Sequence, residues 1–497
     1  MLKHPARSDR LRALMLVAAL VLPLGERAVA AQSAAEVTAE LHRLLHDLPQ
    51  KQARCSAMVM DLTTGRVLVE VNPDQKLIPA SNQKLWVLAA AAVELGESFA
   101  FRTVLAARGR DVCVIGDGDP GFGDSTLVEA RGESITGEFE RWASVLAAHG
   151  FKSLAGRLVF DDTLFDRQWT HPSWEARDLQ KAYAAPVSAL IVNDNCIDVT
   201  LRPAESAGAA ALWSMVPQND AVEIVNRCTS GGGADPVINR PGQRMRFVVS
   251  GQCGKQWEFP SVAVSDPVAF FAGTFRTALR GHGIVVGPEI RMVRVRLPNG
   301  DLPPDLTILA QHRTPLPEVL IRVGKNSQNL FTEALLKRLG FEWSRRSGWA
   351  EPIGSWETGR SAMLDFARRV GVAMAPSDYH DGSGLSRANR MSAAQAVGLL
   401  NHMHGHAARD LFVSSLAVAG RDGSLRKRMA DVPGTIYAKT GYLSGVRTLS
   451  GYVVTPSGRW FAFSVLFNGI KGPTGPFNKV HDKVCRLLAD WPDEPES

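Results

Sequence analysis

The 497-residue sequence lacks the features that define several large classes of protein. It has no internal repeat and no low-complexity tract, which argues against a solenoid or a disordered chain. None of its six cysteines forms a CxxC pair, so neither a zinc ribbon nor a redox motif is indicated. After residue 24, no stretch is long and apolar enough to predict a transmembrane helix. The remaining class is a globular protein, whose 45% apolar residues suffice for two or three domain cores.

A large excess of one charge is also lacking. The whole chain carries a formal charge of +6. Residues 1–30 contain five Lys/Arg and two Asp/Glu and so contribute +3 of this charge. The other 467 residues therefore carry +3, which is too little for a nucleic-acid-binding surface. We expect no nucleic-acid partner.

Residues 1–30 have the pattern of a secretory signal peptide. Four basic residues between positions 3 and 12 are followed by the apolar run Leu11–Leu24 and by small residues at 28–30. The alternative is a membrane anchor, but about fourteen residues interrupted by Pro23 are short for a bilayer. We therefore expect an exported, periplasmic protein without a transmembrane anchor after signal cleavage.

Export to an oxidising compartment would permit disulfides among the six cysteines. Cys228 and Cys253 lie on two candidate strands of one region and either form a bridge or remain free buried thiols. Two other patterns resemble metal sites. The histidine tract at 402–406 has no acidic or cysteine ligand nearby, and the aspartates of the Gly-rich run 116–124 do not have EF-hand spacing. We expect no metal and no cofactor.

Strand patterns lie at both ends of the mature chain, with helical patterns between them. This order predicts an α+β fold in which an antiparallel sheet contains strands from both termini and packs beside a helical subdomain. Between 107 and 265, short alternating strands separated by Gly- and Pro-rich turns predict a β-rich insertion. The expected organisation is a signal peptide at 1–30, a discontinuous main domain at 31–106 and 266–497, and the insertion at 107–265. The main-domain elements are predicted at 34–48, 82–95, 327–339 and 477–488 for helices, and at 55–61, 66–71, 434–440, 446–454 and 460–467 for strands.

Three short motifs follow one another in the main domain: Ser81-Asn82-Gln83-Lys84, Ser327-Gln328-Asn329 and Lys439-Thr440-Gly441. A second Ser-x-x-Lys at 424–427 shows that the first pattern also arises by chance, whereas the other two motifs each occur once. Ser81 begins a predicted helix, so Lys84 lies on the same face within reach of its hydroxyl.

A serine at this spacing from a lysine is suited to nucleophilic catalysis. The hydroxyl needs a base at hydrogen-bond distance, and a lysine serves as that base when it is neutral. Burial and a second cation, here Lys439, both disfavour the charged form of Lys84. The helix N-terminus at Ser81 adds N–H groups near a developing oxyanion.

The three motifs together resemble those of class C low-molecular-mass penicillin-binding proteins, the D-alanyl-D-alanine carboxypeptidase/endopeptidase family. Segments 116–120, 381–387 and 420–425 also match that family's pattern, and the similarity extends from about 40 to 490. The 246-residue separation of Ser81 and Ser327 is another point of resemblance, since compact relatives place these motifs closer together. The resemblance implies the penicillin-binding/β-lactamase-like transpeptidase fold, peptidoglycan stem peptides as substrates and β-lactams as covalent inhibitors.

The resemblance also implies a role for each motif residue. Ser81 would attack the penultimate D-alanine carbonyl, Lys84 would take its proton, and Ser327 would relay a proton to the leaving amine. Asn329 would hold the substrate backbone and Lys84. Lys439, assisted by Thr440 and Gly441, would bind the terminal carboxylate.

Two further assignments follow from the resemblance. The residue after Lys-Thr-Gly is usually Ser or Thr, but here it is Tyr442, whose N–H would join that of Ser81 in the oxyanion hole and whose ring would crowd the carboxylate pocket beside Lys439. In the insertion, Asp162 would meet the free amine of a stem-peptide side chain, with Asp161 and Asp166 equally available.

Two other functions compete with this interpretation. A β-lactamase commonly has a deacylating Glu about 35 residues after Ser-x-Asn, and the stretch 359–370 contains none. A non-catalytic sensor would be acylated by β-lactams without turnover, but all the motif residues of an active enzyme are present. A membrane-anchored transpeptidase is disfavoured by the signal-peptide pattern.

Overall fold

The structure is a computed structural model that describes residues 33–47, 53–432 and 436–492. The predicted signal peptide lies outside these residues. The helices, in chain order, are α1 (Ala34–Asp47), α2 (Lys84–Glu94), α3 (Ser125–Ala130), α4 (Gly137–Ala148), α5 (Pro267–Gly281), α6 (Leu316–Gly324), α7 (Asn329–Arg346), α8 (Trp356–Arg369), α9 (Ala393–His404), α10 (Arg409–Ser415) and α11 (Gly475–Ala489).

Within the described residues, the strands alternate with these helices and form four sheets. In chain order they are β1 (Arg54–Asp61), β2 (Val67–Val71), β3 (Ala100–Arg108), β4 (Asp111–Gly116), β5 (Leu158–Asp161), β6 (Cys196–Arg202), β7 (Leu212–Val216), β8 (Glu223–Ser230), β9 (Val237–Asn239), β10 (Arg246–Cys253), β11 (Trp257–Glu258), β12 (Val262–Ala263), β13 (Arg291–Met292), β14 (Thr307–Pro315), β15 (Ala417–Val418), β16 (Ile436–Leu443), β17 (Val446–Val454) and β18 (Trp460–Asn468).

The main sheet joins both ends of the chain, which confirms the predicted α+β arrangement. Its order is β15-β16-β17-β18-β1-β2, and every neighbouring pair is antiparallel. Residues on both faces of β17 and β18 are buried, because helices cover each side of the sheet. One apolar core packs α1 and α11 against the sheet, and a second contains α2 and α6–α10.

Helix α2 lies in the centre of the second core. Nine of its eleven residues are buried, and alanine and leucine dominate its sequence. Apolar side chains that are small or not branched at Cβ combine high helix propensity with close packing, so this segment forms a helix that neighbouring helices can surround. A 3₁₀ turn at Ala80–Gln83 precedes it and places Ser81 at its entrance.

The inserted region is larger than the expected 107–265. Its five-stranded sheet has the order β13-β5-β4-β3-β14, and β3 pairs with β14 from Ala100 to Ala107. The chain therefore enters and leaves the insertion on adjacent strands at about 100 and 315. Helices α3 and α4 also occur within this region, and α4 and α5 contribute to its apolar core, so it is less purely β than the sequence suggested.

All six cysteines lie within the described residues and are free thiols. Cys228 and Cys253 occupy the neighbouring parallel strands β8 and β10, where Cys228 faces Gly251 and Cys253 faces Ser230. The structure therefore favours the free-thiol alternative. Among the residues that the structure describes, no helix has both the length and the apolar character needed to cross a membrane.

Candidate active site

The three sequence motifs meet in one cleft. Ser81 lies just before α2, Ser327 and Asn329 lie at the start of α7, and Thr440 lies on β16 at the open edge of the main sheet. All four residues line a cavity of about 660 Å³. The cleft therefore contains side chains that are more than 350 residues apart in the sequence.

Lys84 is fully buried and has three hydrogen-bond acceptors. Its Nζ donates to Ser81 Oγ at 3.1 Å, to Asn329 Oδ1 at 2.7 Å and to the carbonyl of Ser383 at 2.7 Å. Burial lowers the pKa of Lys84 to about 7, although the buried carboxylates Glu333 and Asp381 oppose that shift. A large share of Lys84 is therefore neutral near pH 7 and can accept the Ser81 proton.

Lys439 is the second buried amine of the site. Its Nζ donates to Ser327 Oγ at 2.9 Å and to the carbonyl of Thr440 at 3.0 Å. Burial, followed by repulsion from Lys84, lowers the pKa of Lys439 well below its ordinary value. Since the two ammonium groups repel each other, a positive charge on Lys439 favours the neutral form of Lys84.

Gly441 lets strand β16 approach the nucleophile directly. A Cβ at this position would lie 2.0 Å from Thr448 Oγ1 and 3.1 Å from the backbone nitrogen of Ser81, so a larger residue would push the strand away. Strand β15 pairs with β16 only opposite Tyr437 and Ala438, which leaves the later part of this edge facing the cleft. The N–H groups of Ser81 and Tyr442 are thus candidates for an oxyanion hole.

Two buried carboxylates, to which the sequence assigned no role, support the loop beneath Lys84. Glu333 accepts from the N–H groups of Gly382 and Ser383, at 3.1 and 2.7 Å, and from the Trp356 indole. Asp381 accepts from two further N–H groups of the same loop and from the indole of Trp174 in the insertion. The segment 381–387 had matched the family pattern, and its structural role is to present the Ser383 carbonyl to Lys84.

Ser424, from the second Ser-x-x-Lys pattern, also lies at the site. Its hydroxyl accepts a hydrogen bond from Thr440 Oγ1 at 2.8 Å. Lys427 is exposed, whereas Lys84 is buried against Ser81. Ser424 therefore has a polar contact at the rim but lacks the buried base that distinguishes Ser81.

Tyr442 lines the cleft without crowding Lys439. Alternate residues of a strand point to opposite faces, so the Tyr442 ring lies on the side of Thr440, away from the buried face of Lys439. The ring is 67% exposed and stacks on Arg447 of β17, whose guanidinium carbon is 3.6 Å from the ring centroid. The expected crowding of the carboxylate pocket is wrong because Arg447 holds the ring against the sheet edge.

Asp162 does not line the cleft. It is 2% exposed, and its Oδ1 accepts from Arg167 Nη2 at 3.1 Å, so its charge is already paired away from Ser81. The insertion borders the cleft through a different segment, whose acidic members are Glu175 and Asp178. No spacing rule singles out these residues, because their irregular segment reaches the cleft only through tertiary packing.

The aspartates of the Gly-rich run already have hydrogen-bond or ion-pair partners within the protein. Asp117 accepts from the Arg102 N–H, Asp119 pairs with His312, and Asp124 pairs with Arg322. Within the described residues, no three histidine, cysteine or acidic side chains are grouped as a metal site would require.

Comparison with known families extends the resemblance to nearly the whole chain. The family model described as D-Ala-D-Ala carboxypeptidase 3 (S13) matches residues 37–488. The chain is 31% identical to a D-alanyl-D-alanine carboxypeptidase of an Actinomadura species, over 98% of this chain and 91% of that protein. It is 24% identical to the D-alanyl-D-alanine carboxypeptidase DacB of Haemophilus influenzae, over 85% of this chain and 88% of that protein.

Solved structures agree at the level of the fold. The crystal structure of penicillin binding protein 4 from Haemophilus influenzae matches with a TM-score of 0.71 and 21% identity. The match covers 91% of this chain and 99% of that one. The same neighbour complexed with a β-lactam matches with a TM-score of 0.67, also at 21% identity.

Proposed function

The chain belongs to the D-Ala-D-Ala carboxypeptidase 3 (S13) family, and on that premise we propose that it is a serine D-Ala-D-Ala carboxypeptidase that acts through a Ser81 acyl-enzyme. The observation that carries this assignment of the nucleophile is the 3.1 Å contact between Ser81 Oγ and the buried amine of Lys84. A buried amine with a pKa of about 7 and a serine hydroxyl at this distance form a base and its nucleophile.

In acylation, Ser81 Oγ attacks the carbonyl carbon of the penultimate D-alanine while its proton moves to Lys84. The carbonyl oxygen becomes an oxyanion, and the N–H groups of Ser81 and Tyr442 stabilise it. Because Ser327 Oγ accepts from Lys439, its own proton can be donated to the leaving nitrogen. Lys84 then passes the proton that it took from Ser81 to Ser327, so Lys84 is neutral again before deacylation begins. The C–N bond then breaks, D-alanine leaves, and the remaining peptide is an ester on Ser81.

In deacylation, water attacks that ester with Lys84 as the base, and Ser81 regains its proton. Asn329 serves both steps because its Oδ1 accepts from Lys84 while its Nδ2 donates to the carbonyl of Tyr183. Lys439 and Thr440 would receive the terminal carboxylate of the substrate. The carboxylate would favour the charged form of Lys439, which would then bind it through a charge-assisted hydrogen bond.

The substrates are peptidoglycan stem peptides, and an endopeptidase activity on cross-linked stems would use the same acyl-enzyme. An amine on the stem side chain would meet Asp178 in place of Asp162, since Glu175, the other acidic residue that lines the cleft, already pairs with Arg177. β-Lactams would acylate Ser81 as covalent inhibitors. This function requires export, and we propose a periplasmic location that residues 1–30 direct.

Release of D-alanine from a peptide ending in D-Ala-D-Ala tests the proposed function. The purified enzyme should release many equivalents of D-alanine, and a matched peptide ending in L-Ala-L-Ala should release no L-alanine. Benzylpenicillin should acylate the enzyme and stop this release. Acylation without D-alanine release would support the sensor alternative, and rapid turnover of benzylpenicillin without peptide cleavage would support a β-lactamase.

Tyr442 should affect substrate binding more than chemistry. Tyr442→Ser removes the ring that stacks on Arg447 at the cleft wall but retains the backbone N–H, so KM should rise by about 3- to 10-fold while kcat stays within about twofold. Tyr442→Phe keeps the ring and should behave as the wild type. Steady-state kinetics on the D-Ala-D-Ala peptide measure both variants. A collapse of kcat with unchanged KM in Tyr442→Ser would assign the ring a transition-state role and contradict this account.

A further inference from the structure

The middle residue of the second motif is held by the insertion. Gln328 accepts from the Asn329 N–H through Oε1 at 3.0 Å, which caps α7. Its Nε2 donates to Asp194 Oδ2 at 2.6 Å, and its backbone N–H donates to the Arg322 carbonyl at 3.1 Å. Both polar atoms of the Gln328 side chain are thus engaged, although the motif pattern leaves this position free.

This contact lies next to an unfavourable backbone conformation in the motif. Ser327 has a φ of 61°, in the left-handed region that residues with a Cβ rarely adopt. Such a conformation persists when surrounding contacts define it, and it occurs most often at functional sites. The hydrogen bonds of Gln328 fix the residue that directly follows Ser327.

The insertion has the same unusual conformation on its side of the contact. Asn193, Asp194 and Asn195 have φ values of 47°, 53° and 52° in succession. The two asparagines fix the turn, because the Asn193 amide donates to the Cys196 carbonyl at 2.9 Å and the Asn195 amide donates to the Pro186 carbonyl at 2.8 Å. With both ends of the turn fixed, Asp194 is directed at Gln328.

Asp194 acts on Gln328 as a hydrogen-bond acceptor more than as an ion. Arg322 Nη2 lies 3.9 Å from Asp194 and bonds to Asp124 at 2.6 Å instead. Burial, followed by the charge of Asp124, raises the pKa of Asp194 to about 8. Its Oδ1 is buried without a hydrogen-bond partner among the described residues. Such burial costs less free energy for a neutral, protonated carboxyl group than for a charged carboxylate.

We propose that Asp194 is a positioning residue for the acyl-transfer reaction, which holds Gln328 and thereby fixes Ser327 and Asn329 opposite Lys84. The Tyr183 carbonyl is a second link from the insertion, since it accepts from Asn329 Nδ2 at 2.7 Å and turns Oδ1 of that amide towards Lys84. The insertion is therefore part of the catalytic centre rather than a spacer. This proposal rests on the proposed function.

Asp194→Ala and Asp194→Asn in the full chain test the proposal as a matched pair. Asp194→Ala removes the acceptor and should lower kcat on the D-Ala-D-Ala peptide by about 10- to 100-fold with KM within about threefold, because small displacements of reacting groups are costly. Asp194→Asn keeps an acceptor oxygen and resembles the protonated acid, so it should retain kcat within about threefold. The rate of acylation by a fluorescent penicillin should decrease in the same order, with the wild type and Asp194→Asn close together and Asp194→Ala slowest.

Gln328→Met removes the donor of the same hydrogen bond to Asp194. This variant still tests the proposal if Asp194→Ala does not fold. It should lower kcat at least as much as Asp194→Ala does, because it also removes the cap of α7, and the double variant should be no worse than Gln328→Met alone. The proposal is overturned if folded Asp194→Ala has wild-type kcat, or if Asp194→Asn lowers kcat as much as Asp194→Ala does. It is also overturned if the losses of kcat in Asp194→Ala and Gln328→Met add in the double variant. A failure of the proposed function would remove D-alanine release from the wild type as well. The rate of acylation by penicillin would then still show whether the Asp194 and Gln328 variants differ from the wild type.

Discussion

Ser81→Ala is expected to abolish covalent labelling by a fluorescent penicillin and to lower kcat on a D-Ala-D-Ala peptide by a factor on the order of 10⁶, the scale seen when a serine peptidase loses its nucleophile. The substitution removes one half-buried oxygen and leaves the 3₁₀ turn and α2 intact, so the melting temperature should stay close to that of the wild type. Gel fluorescence, peptide kinetics and thermal unfolding measure the three quantities.

Ser424→Ala is the matched control for this result. Ser424 belongs to the second Ser-x-x-Lys pattern and contacts Thr440, but its Lys427 is exposed. Labelling should therefore persist in Ser424→Ala. Labelling that survives in Ser81→Ala and is lost in Ser424→Ala would show that the nucleophile has been assigned to the wrong motif.

Lys84→Arg is expected to lower the acylation rate by at least about 10³-fold, within the range that general-base catalysis contributes. A guanidinium stays protonated at any pH the protein tolerates, so it has no lone pair to accept the Ser81 proton. In the wild type, the neutral form of Lys84 increases with pH, and the acylation rate should rise through pH 7 towards a plateau, since burial brings the pKa of Lys84 to about 7.

Stopped-flow acylation between pH 5.5 and 9 measures this profile. Lys84→Met is the second variant, because its unbranched apolar side chain suits the buried position better than arginine does. It should be equally slow and show no inflection near pH 7. An active Lys84→Arg enzyme, or a wild-type profile without an inflection below pH 9, would contradict the role of Lys84 as base.

The sequence was sufficient to predict the main sheet and the three motifs, because both rest on local patterns. The sequence predicted strands at 446–454 and 460–467, joined by a turn at 456–458, and β17 and β18 match them to within one residue. The three-residue spacing of Ser81 and Lys84 predicted their contact. These features depend on strand and helix periods that each segment carries by itself.

The rest of the site depends on contacts between distant segments. The limits of the insertion are set by the pairing of β3 with β14, about 200 residues apart, and neither strand carries a signal for its partner. Asp162 was a wrong choice because its burial with Arg167 is not visible in the sequence. Glu333 was missed because a carboxylate that binds backbone N–H groups belongs to no short motif. Asp381 lies in the segment 381–387 that matched the family pattern, but its bonds to the N–H groups of that loop could not be predicted from the match.

Peptide mapping of the penicillin adduct tests the central claim most directly. The full-length enzyme would be acylated with benzylpenicillin, digested with trypsin and analysed by mass spectrometry. The account predicts the adduct on the peptide of residues 77–84, which contains Ser81. An adduct on the peptide of residues 422–426, which contains Ser424, or the absence of any adduct from an enzyme that releases D-alanine, would contradict it.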